Sequence, residues 1–279
     1  MPELPEVEAV VRTLRPLVRG RRIRCVHVFH RIATKPQAAS PVARQAQGRR
    51  IRTVDRKGKY VLLVLDRGLL TIHFRLDGQL LWFSNAKELL KHANQHEHGV
   101  HVDVAFELDK SVLGFADRRH FGRVHAWESA VDCPGLSMLG IDALAGDLTS
   151  SRFTQLLSAS KRPLKDFLLD QSRVAGIGNI YSCESLWYAR LNPRRRANTL
   201  RPQEARRLHK AIVSVLARAL ECCLHPAPDF RNPEWWFQGL ENILRAYGRE
   251  GKPCRRCGEP IRRIAQGGRS TYCCGRCQK

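Results

Sequence analysis

The sequence predicts an α+β chain: an N-terminal helix on a two-layer β-sandwich, a second and helical domain, and a four-cysteine zinc-ribbon hairpin at the C-terminus. Three observations predict it. Apolar residues recur at helical spacing in residues 5–19, switch to period two from about 21 to 128, and return to helical spacing beyond 150. Gly58, Gly68, Gly78 and Gly122 punctuate the period-two region as turns. Five of the ten cysteines crowd into the last 26 residues. A length of 279 residues fits about two domains.

In the first helix Val7, Val10, Val11, Leu14 and Val18 share one face. Pro5 suits its first turn, and Gly20 suits the position past its end. Strands are expected at 22–29, 49–55, 59–65, 69–75, 79–83, 100–107, 111–116 and 122–127. Short strands in this number point to a sandwich. Residues 84–99 read as a polar, solvated loop. They hold His92, His96 and His98, with His101 just beyond, in no recognised ligand pattern. Pro134, Gly135, Gly140 and Gly146 break all periodicity between 129 and 148, as in a linker. Helices are expected at 150–159, 163–170, 180–188, 202–223 and 233–246. Between the second and third of these lies Gly176-Ile-Gly178-Asn179. Two glycines opening a helix present backbone N–H groups and a dipole to an anion; a turn needed only for tight packing reads the same way. Arg206, Arg207, Lys210 and Arg218 give the long helix a basic, solvated face.

Lys plus Arg is 48 against 26 Asp plus Glu, a formal charge of +22 with a pI near 10.3. That balance is the footprint of a nucleic-acid binder, because cationic side chains gain affinity by displacing phosphate counterions. No run approaches the ~20 apolar residues of a membrane span. The acidic start is no secretory signal, so the expected location is cytoplasmic.

Cys254-x2-Cys257 and Cys274-x2-Cys277 stand sixteen residues apart. Two such knuckles read as a structural zinc site holding a hairpin too small for its own core. Cys274, which completes the two-residue knuckle, is taken as the ligand and Cys273 as its neighbour. Four thiolates close the coordination sphere, so this zinc is not catalytic. The surrounding Arg255, Arg256, Arg262, Arg263, Arg269 and Arg276 leave the finger able to face a polyanion.

Chemistry must then come from elsewhere, and the chain opens Met1-Pro2-Glu3-Leu4-Pro5-Glu6-Val7-Glu8. The small second residue favours removal of Met1, which frees a secondary amine on Pro2. Such an amine attacks electrophilic carbon and condenses with aldehydes to an iminium. A neighbouring carboxylate can shuttle its protons. The same residues also suit the acidic first turn of an ordinary helix.

Four motifs in order carry a resemblance: Met1-Pro-Glu-Leu-Pro-Glu-Val-Glu8, Gly176-Ile-Gly-Asn-Ile-Tyr181 with Glu184, Tyr247-Gly-Arg249, and the finger ending Cys274-x2-Cys277-Gln278-Lys279. Over essentially its whole length the chain resembles the bacterial formamidopyrimidine-DNA glycosylases, of the wider formamidopyrimidine-DNA glycosylase/endonuclease VIII superfamily. The resemblance implies a base-excision repair glycosylase with abasic-site lyase activity by β,δ-elimination. It would remove oxidised or ring-opened purines through an N-terminal proline Schiff base. It implies one structural zinc, a partner in damaged double-stranded DNA, no membrane, and a monomer. Pro2 is the implied nucleophile, Glu3 the proton shuttle and Glu6 a second carboxylate of the pocket. Lys57, His73, Asn179 and Arg269 are the implied phosphate contacts, and Glu184 a buried carboxylate. Leu76, Arg119 and Phe121 are the implied wedge that fills the gap left by a flipped nucleotide. The implied domains are a catalytic β-sandwich at 1–130, a linker at 131–148, a helix–two-turn–helix DNA-binding domain at 149–249 and a zinc finger at 250–279.

The chain departs from the family at three places. Leu76 stands where Met is common, a similar apolar volume. His120 follows Arg119 where a second Arg or Lys is usual, which weakens phosphate affinity. The segment His225-Pro226-Ala227-Pro228-Asp229-Phe230 replaces a Gly-rich loop that closes over the flipped base. Proline has no N–H to donate, so a preference shifted from 8-oxoguanine towards ring-opened purines, abasic sites or oxidised pyrimidines is expected. Endonuclease VIII-like specificity for oxidised pyrimidines and a non-catalytic damage-binding protein are the competing readings. Leu4, Phe121 and the complete set of zinc thiolates favour the formamidopyrimidine side. Intact Pro2, Glu3 and Lys57 disfavour the binder.

Overall fold

The computed structural model describes residues 2–93, 101–230 and 239–279. These fall into two compact units. The first holds Pro2 and residues 6–93, 101–137 and 226–230; the second holds Glu3–Pro5, Met138–His225 and Gly239–Lys279.

In the first unit, α1 (Leu4–Val18) buries the apolar face read from its spacing: Val7, Val10, Val11, Leu14 and Val18 are fully inaccessible. Each such side chain contributes about 1.5–3 kcal/mol relative to exposure, far more than intrinsic helix propensity supplies. Gly20 ends the helix at a φ of 81°, and its N–H donates to the Ile51 carbonyl (2.7 Å).

All eight expected strands are present in two antiparallel sheets of four. β1 (Ile23–Val28), β6 (Val102–Leu108), β7 (Ser111–Ala116) and β5 (Gln79–Phe83) are neighbours in that order. β2 (Ile51–Lys57), β3 (Tyr60–Leu65), β4 (Leu69–His73) and β8 (Arg123–Trp127) make the other sheet. Alternation is clean in β3, where Val61, Leu63 and Leu65 point inward. Every residue of β7 is buried, and β6 and β5 flank it. A Cβ on its Gly114 would stand 3.1 Å from the Phe83 ring, so the small residue keeps the strands in register.

Two parts of this unit differ from expectation. The connection after β1 is not featureless: a 3-10 turn (Arg31–Thr34) and α2 (Ala39–Ala46) occupy it. Residues 84–99, expected as a loop, begin with α3 (Ala86–Ala93), which buries Leu89. One apolar residue per turn on an eight-residue helix is too short a pattern to separate from a polar loop. His96, His98 and the side chain of His92 lie outside the described residues, as does Met1. Beyond the sheets come a 3-10 turn (Ala130–Asp132) and α4 (Pro134–Ser137).

The second unit opens, in chain order after Pro5, with β9 (Ile141–Asp142), which pairs in parallel with β10 (Val174–Ala175). The helices α5 (Ser150–Ser158), α6 (Leu164–Leu169), α7 (Asn179–Tyr188) and α8 (Pro202–Leu224) stand where periodicity placed them. Thr149 caps α5, its hydroxyl accepting the Arg152 N–H. The fifth expected helix is shorter: its described part is α9 (Leu240–Ile243), and the chain turns at Leu244. Two arginines of the expected solvated face on α8 have partners. Arg207 donates to the Ala189 carbonyl (2.7 Å) and Arg218 to the Tyr188 hydroxyl (2.7 Å), both at the end of α7. The C-terminal hairpin pairs β11 (Ile261–Gln266) with β12 (Arg269–Cys274) across Gly267 and Gly268, both at positive φ, as a two-residue turn of this hand requires.

Gly176 is the most constrained glycine of the second unit. Its φ is 101°, a Cβ there would overlap the Leu4 side chain, and its carbonyl accepts the Leu4 N–H (3.2 Å). Gly176→Ala is therefore expected to cost about 2–4 kcal/mol, from a strained φ plus overpacking. Chemical denaturation measures this, and an unchanged midpoint contradicts it.

Candidate active site and nucleic-acid interface

The residues singled out by sequence divide between the two units. Pro2, Glu6, Lys57, His73, Leu76, Arg119 and Phe121 belong to the first; Glu3, Asn179, Arg269 and the four finger cysteines belong to the second.

Glu3 is fully buried. Its carboxylate accepts the N–H groups of Gly178 (2.8 Å), Ile180 (2.8 Å) and Tyr181 (3.4 Å), at the N-terminus of α7. Orphan donors and the positive end of the helix dipole together make this a favourable place for an anion. The Gly-x-Gly turn was expected to offer these groups to an anion; the anion they hold is the chain's own Glu3. Gln171 shapes the turn: its side-chain oxygen accepts the Gly176 N–H (3.0 Å), and its amide donates to the Ile177 carbonyl (2.7 Å). Pro2, the preceding residue, is buried, and so is Glu6 on the first turn of α1.

In the first unit, strand register sets Lys57, Tyr60, His73 and Arg123 in one row across all four strands of the second sheet. Directly paired residues face the same side, so one sheet end gathers three cationic or imidazole side chains. The Tyr60 and His73 rings meet edge to face at 4.5 Å. His73 Nδ1 accepts the Arg75 N–H (3.0 Å), which leaves its hydrogen on Nε2 as a donor. Burial, then the positive charges of Arg75 and Lys59, lower its pKa to about 3. Lys57 is held by its neighbour. Arg56, almost wholly buried, donates to Glu8 (2.7 Å) and to the Gly58 carbonyl (2.9 Å), tying α1 to the β2–β3 turn. Burial opposes ionisation of Glu8, but Arg12 and Arg56 outweigh it and lower its pKa.

Leu76, Arg119 and Phe121 lie on two loops of the same unit. Leu76 is half-buried and Phe121 is 47% exposed, unusual for so large an apolar side chain. The Arg119 guanidinium lies 5.1 Å from the Phe121 ring centre and 3.4 Å from Asp77, which joins the two loops. Buried Asp117 braces the second loop by accepting the Arg119 N–H (3.0 Å) and the Gly122 N–H. Arg75 and His120 both hold positive φ, about 55° and 54°. Non-glycine residues in that region cost energy and cluster at functional loops.

In the second unit the Ser270 carbonyl gathers two side chains. It accepts the Asn179 side-chain amide (3.1 Å) and the Lys165 ammonium (2.9 Å). Lys165 is itself buried and donates also to the Thr271 hydroxyl (2.6 Å). Asn179 is thus set beside the peptide that follows exposed Arg269, at the hairpin tip. Glu184, inside α7, accepts the successive N–H groups of Arg245, Ala246 and Tyr247, each at 2.8 Å. Burial raises its pKa, and the three donors only partly offset that.

The ligand atoms of Cys254, Cys257, Cys274 and Cys277 lie within 4.8 Å of one another. The Trp187 indole donates to Cys254 Sγ (3.4 Å) and the Cys277 N–H to Cys274 Sγ (3.3 Å). Such N–H···S bonds support thiolates, so four sulfurs so placed fit a tetrahedral zinc. Cys273, one residue out of phase on β12, is not in the cluster.

Lys165, Gln171, Glu8, Arg56 and Arg123 were not found from the sequence. Lys165, Glu8 and Arg56 act through partners distant in sequence, whereas Gln171 and Arg123 bond groups within six residues of themselves. The segment His225–Phe230 has no helix or strand. Phe230 is buried, and its carbonyl accepts the Trp82 N–H (3.4 Å) in the first unit.

Three family models match in order. They are the formamidopyrimidine-DNA glycosylase N-terminal domain over residues 1–124, the formamidopyrimidine-DNA glycosylase H2TH domain over 139–224, and a zinc finger found in FPG and IleRS over 251–279. Two similar curated proteins are the formamidopyrimidine-DNA glycosylases of Bacillus licheniformis, 36% identical over the full length of both chains, and of Thermus thermophilus, 38% identical over all of this chain and 98% of that one. Among solved structures, Lactococcus lactis Fpg bound non-covalently to DNA with an abasic site is 26% identical, with a TM-score of 0.85 over all of both chains. The same protein in complex with Fapy-dG DNA is 27% identical, with a TM-score of 0.85 over 99% of this chain and 100% of that one.

His73 gives a pH prediction. Its folded pKa lies near 3, below the ordinary 6.5, so the unfolded chain takes up the proton first. The stability it contributes is full above pH 6.5 and is lost as pH falls from there towards 3. Thermal unfolding of His73→Gln should lose less stability across that window than the parent chain; equal losses contradict the assignment.

Proposed function

The chain belongs to the formamidopyrimidine-DNA glycosylase family, and from that premise we propose how its residues carry out base excision and strand cleavage at damaged DNA. It is a base-excision repair glycosylase with abasic-site lyase activity, and its finger binds one zinc.

Pro2, freed of Met1, attacks C1′ of a flipped nucleotide and the damaged base leaves. Glu3 carries protons as the sugar ring opens, with Glu6 the second carboxylate of the pocket. The iminium acidifies the C2′ proton, so the 3′ and then the 5′ phosphate are eliminated. The observation that supports this most is the docking of Glu3 on α7, because it fixes the residue bonded to Pro2. Lys57, His73, Asn179 and Arg269 grip phosphates, His73 through its Nε2–H. Leu76, Arg119 and Phe121 fill the vacated stack; exposed Phe121 offsets part of the few kcal/mol that flipping costs. We assign residues 1–130 to catalysis, 131–148 to a linker, 149–249 to the helix–two-turn–helix domain and 250–279 to the finger. Among the described residues no helix is long and apolar enough to cross a membrane. We place the chain in the cytoplasm as a monomer, where DNA is the partner and finger thiols stay reduced.

Substrate breadth follows from the segment 225–230, whose prolines withhold N–H donors. The Lactococcus relative has been solved with Fapy-dG, abasic-site and oxidised-pyrimidine DNA. This chain should favour ring-opened purines, abasic sites or oxidised pyrimidines over 8-oxoguanine. A panel of lesion-bearing duplexes tests that, and 8-oxoguanine as the fastest substrate contradicts it.

Borohydride should trap the processed chain on abasic-site DNA, with the adduct on the Pro2 peptide. Absence of an adduct, or a dominant species retaining Met1 in the intact mass, supports a damage-binding protein instead. Glu3→Gln should lower excision roughly 100- to 10,000-fold, the usual worth of a positioned proton shuttle. Cys257→Ser should lose zinc and weaken DNA binding; unchanged zinc content and affinity contradict the role given to the finger.

A further inference from the structure

His120, where the family commonly has a cation, does not point idle into solvent. Its Nδ1 lies 2.9 Å from Asp103 Oδ1. Asp103 sits on β6 with its side chain wholly inaccessible, and its other oxygen accepts the Asp117 N–H (2.8 Å). His30, at the end of the segment after β1, brings a second ring. Its centre is 5.1 Å from that of His120, and the His30 backbone N–H donates to the Asp103 carbonyl (3.2 Å). One ligand atom each from His30, Asp103 and His120 falls within 4.8 Å of the others. The His101 ring stands 6.3 Å from that of His30. All four residues belong to the first unit.

We propose that His30, Asp103 and His120 form a second metal site, for a divalent transition ion such as zinc, that fixes the loop carrying Arg119 and Phe121. Two imidazoles and one carboxylate suit zinc, whereas magnesium and calcium prefer oxygen alone. Zinc–nitrogen bonds of about 2.0–2.1 Å set neighbouring ligands roughly 3.4 Å apart on a tetrahedron. Asp103 Oδ1 and His120 Nδ1 stand 2.9 Å apart and open by about half an ångström to that spacing, and the His30 ligand atom lies within 4.8 Å of both. As the ion binds, the hydrogen on His120 Nδ1 moves to Nε2, and the Asp103–His120 hydrogen bond becomes a shared metal. Three protein ligands leave a fourth position for His101 or water. The Asp103–Asp117 bond carries the effect into the loop, because Asp117 also holds the N–H groups of Arg119 and Gly122. The ion thus sets a local positive charge beside the loop.

The site stands independently of whether the loop enters DNA, so its test reads metal. Full-length protein with a loaded finger is equilibrated in buffered micromolar free zinc, and bound zinc is counted by native mass spectrometry. Two equivalents are expected in the parent chain and one in His30→Ala and in His120→Arg, both of which leave buried Asp103 in place. Amide exchange of residues 118–122 should slow severalfold with zinc in the parent chain only. A single equivalent in the parent overturns the site, as does a second equivalent that persists in both variants. Zinc binding without slower exchange overturns the fixing of the loop.

Discussion

A buried carboxylate must be paid for, and Glu3 is satisfied by the N-terminus of α7. Three backbone N–H groups and the helix dipole offset the loss of water around it. Much of the second unit follows from that one contact. The turn before α7 must present its donors together, which Gln171 arranges by clasping Gly176 and Ile177. Gly176 must lack a side chain, because Leu4 occupies the space. The acidic start of the chain is thereby more than a helix cap: its first carboxylate is a structural ligand, and α1 begins at the residue after it.

The same device recurs. Glu184 collects three successive N–H groups from 245–247 and so anchors the Tyr247-Gly-Arg249 motif to α7. The Ser270 carbonyl collects Asn179 and Lys165, and so sets the hairpin tip against the start of α7. At the other end of α7, Trp187 donates to Cys254 and lies beneath the Arg256 guanidinium at 4.0 Å. One helix therefore orients Glu3, Asn179 and the finger. In the first unit the organising device is strand register, which places Lys57 and His73 on one row although a hairpin and a strand separate them.

The strands and long helices were legible because they repeat every two or every 3.6 residues over several turns. The zinc ligands were legible because chemistry fixes their spacing. α2 and α3 were not, since eight residues give barely two turns of pattern. Glu3 was legible as a carboxylate near an amine, but not as the ligand of a helix 175 residues away. The row through Tyr60 and Arg123 depends on hairpin register, which periodicity does not report. The cluster of His30, Asp103 and His120 joins three separate elements of one unit. Only the unusual residue at 120 marked it in the sequence, and there it read as a weakened phosphate contact.

The central claim is that the Glu3 carboxylate holds the N-terminus on α7, and amide hydrogen exchange reads it at the three donors themselves. In the parent chain the N–H groups of Gly178, Ile180 and Tyr181 should exchange as slowly as the core of the second unit. In Glu3→Gln, whose side chain turns a donor towards one of them, exchange should quicken about 10- to 100-fold, the worth of a charge-assisted hydrogen bond. Exchange at all three amides unchanged by the substitution contradicts the account.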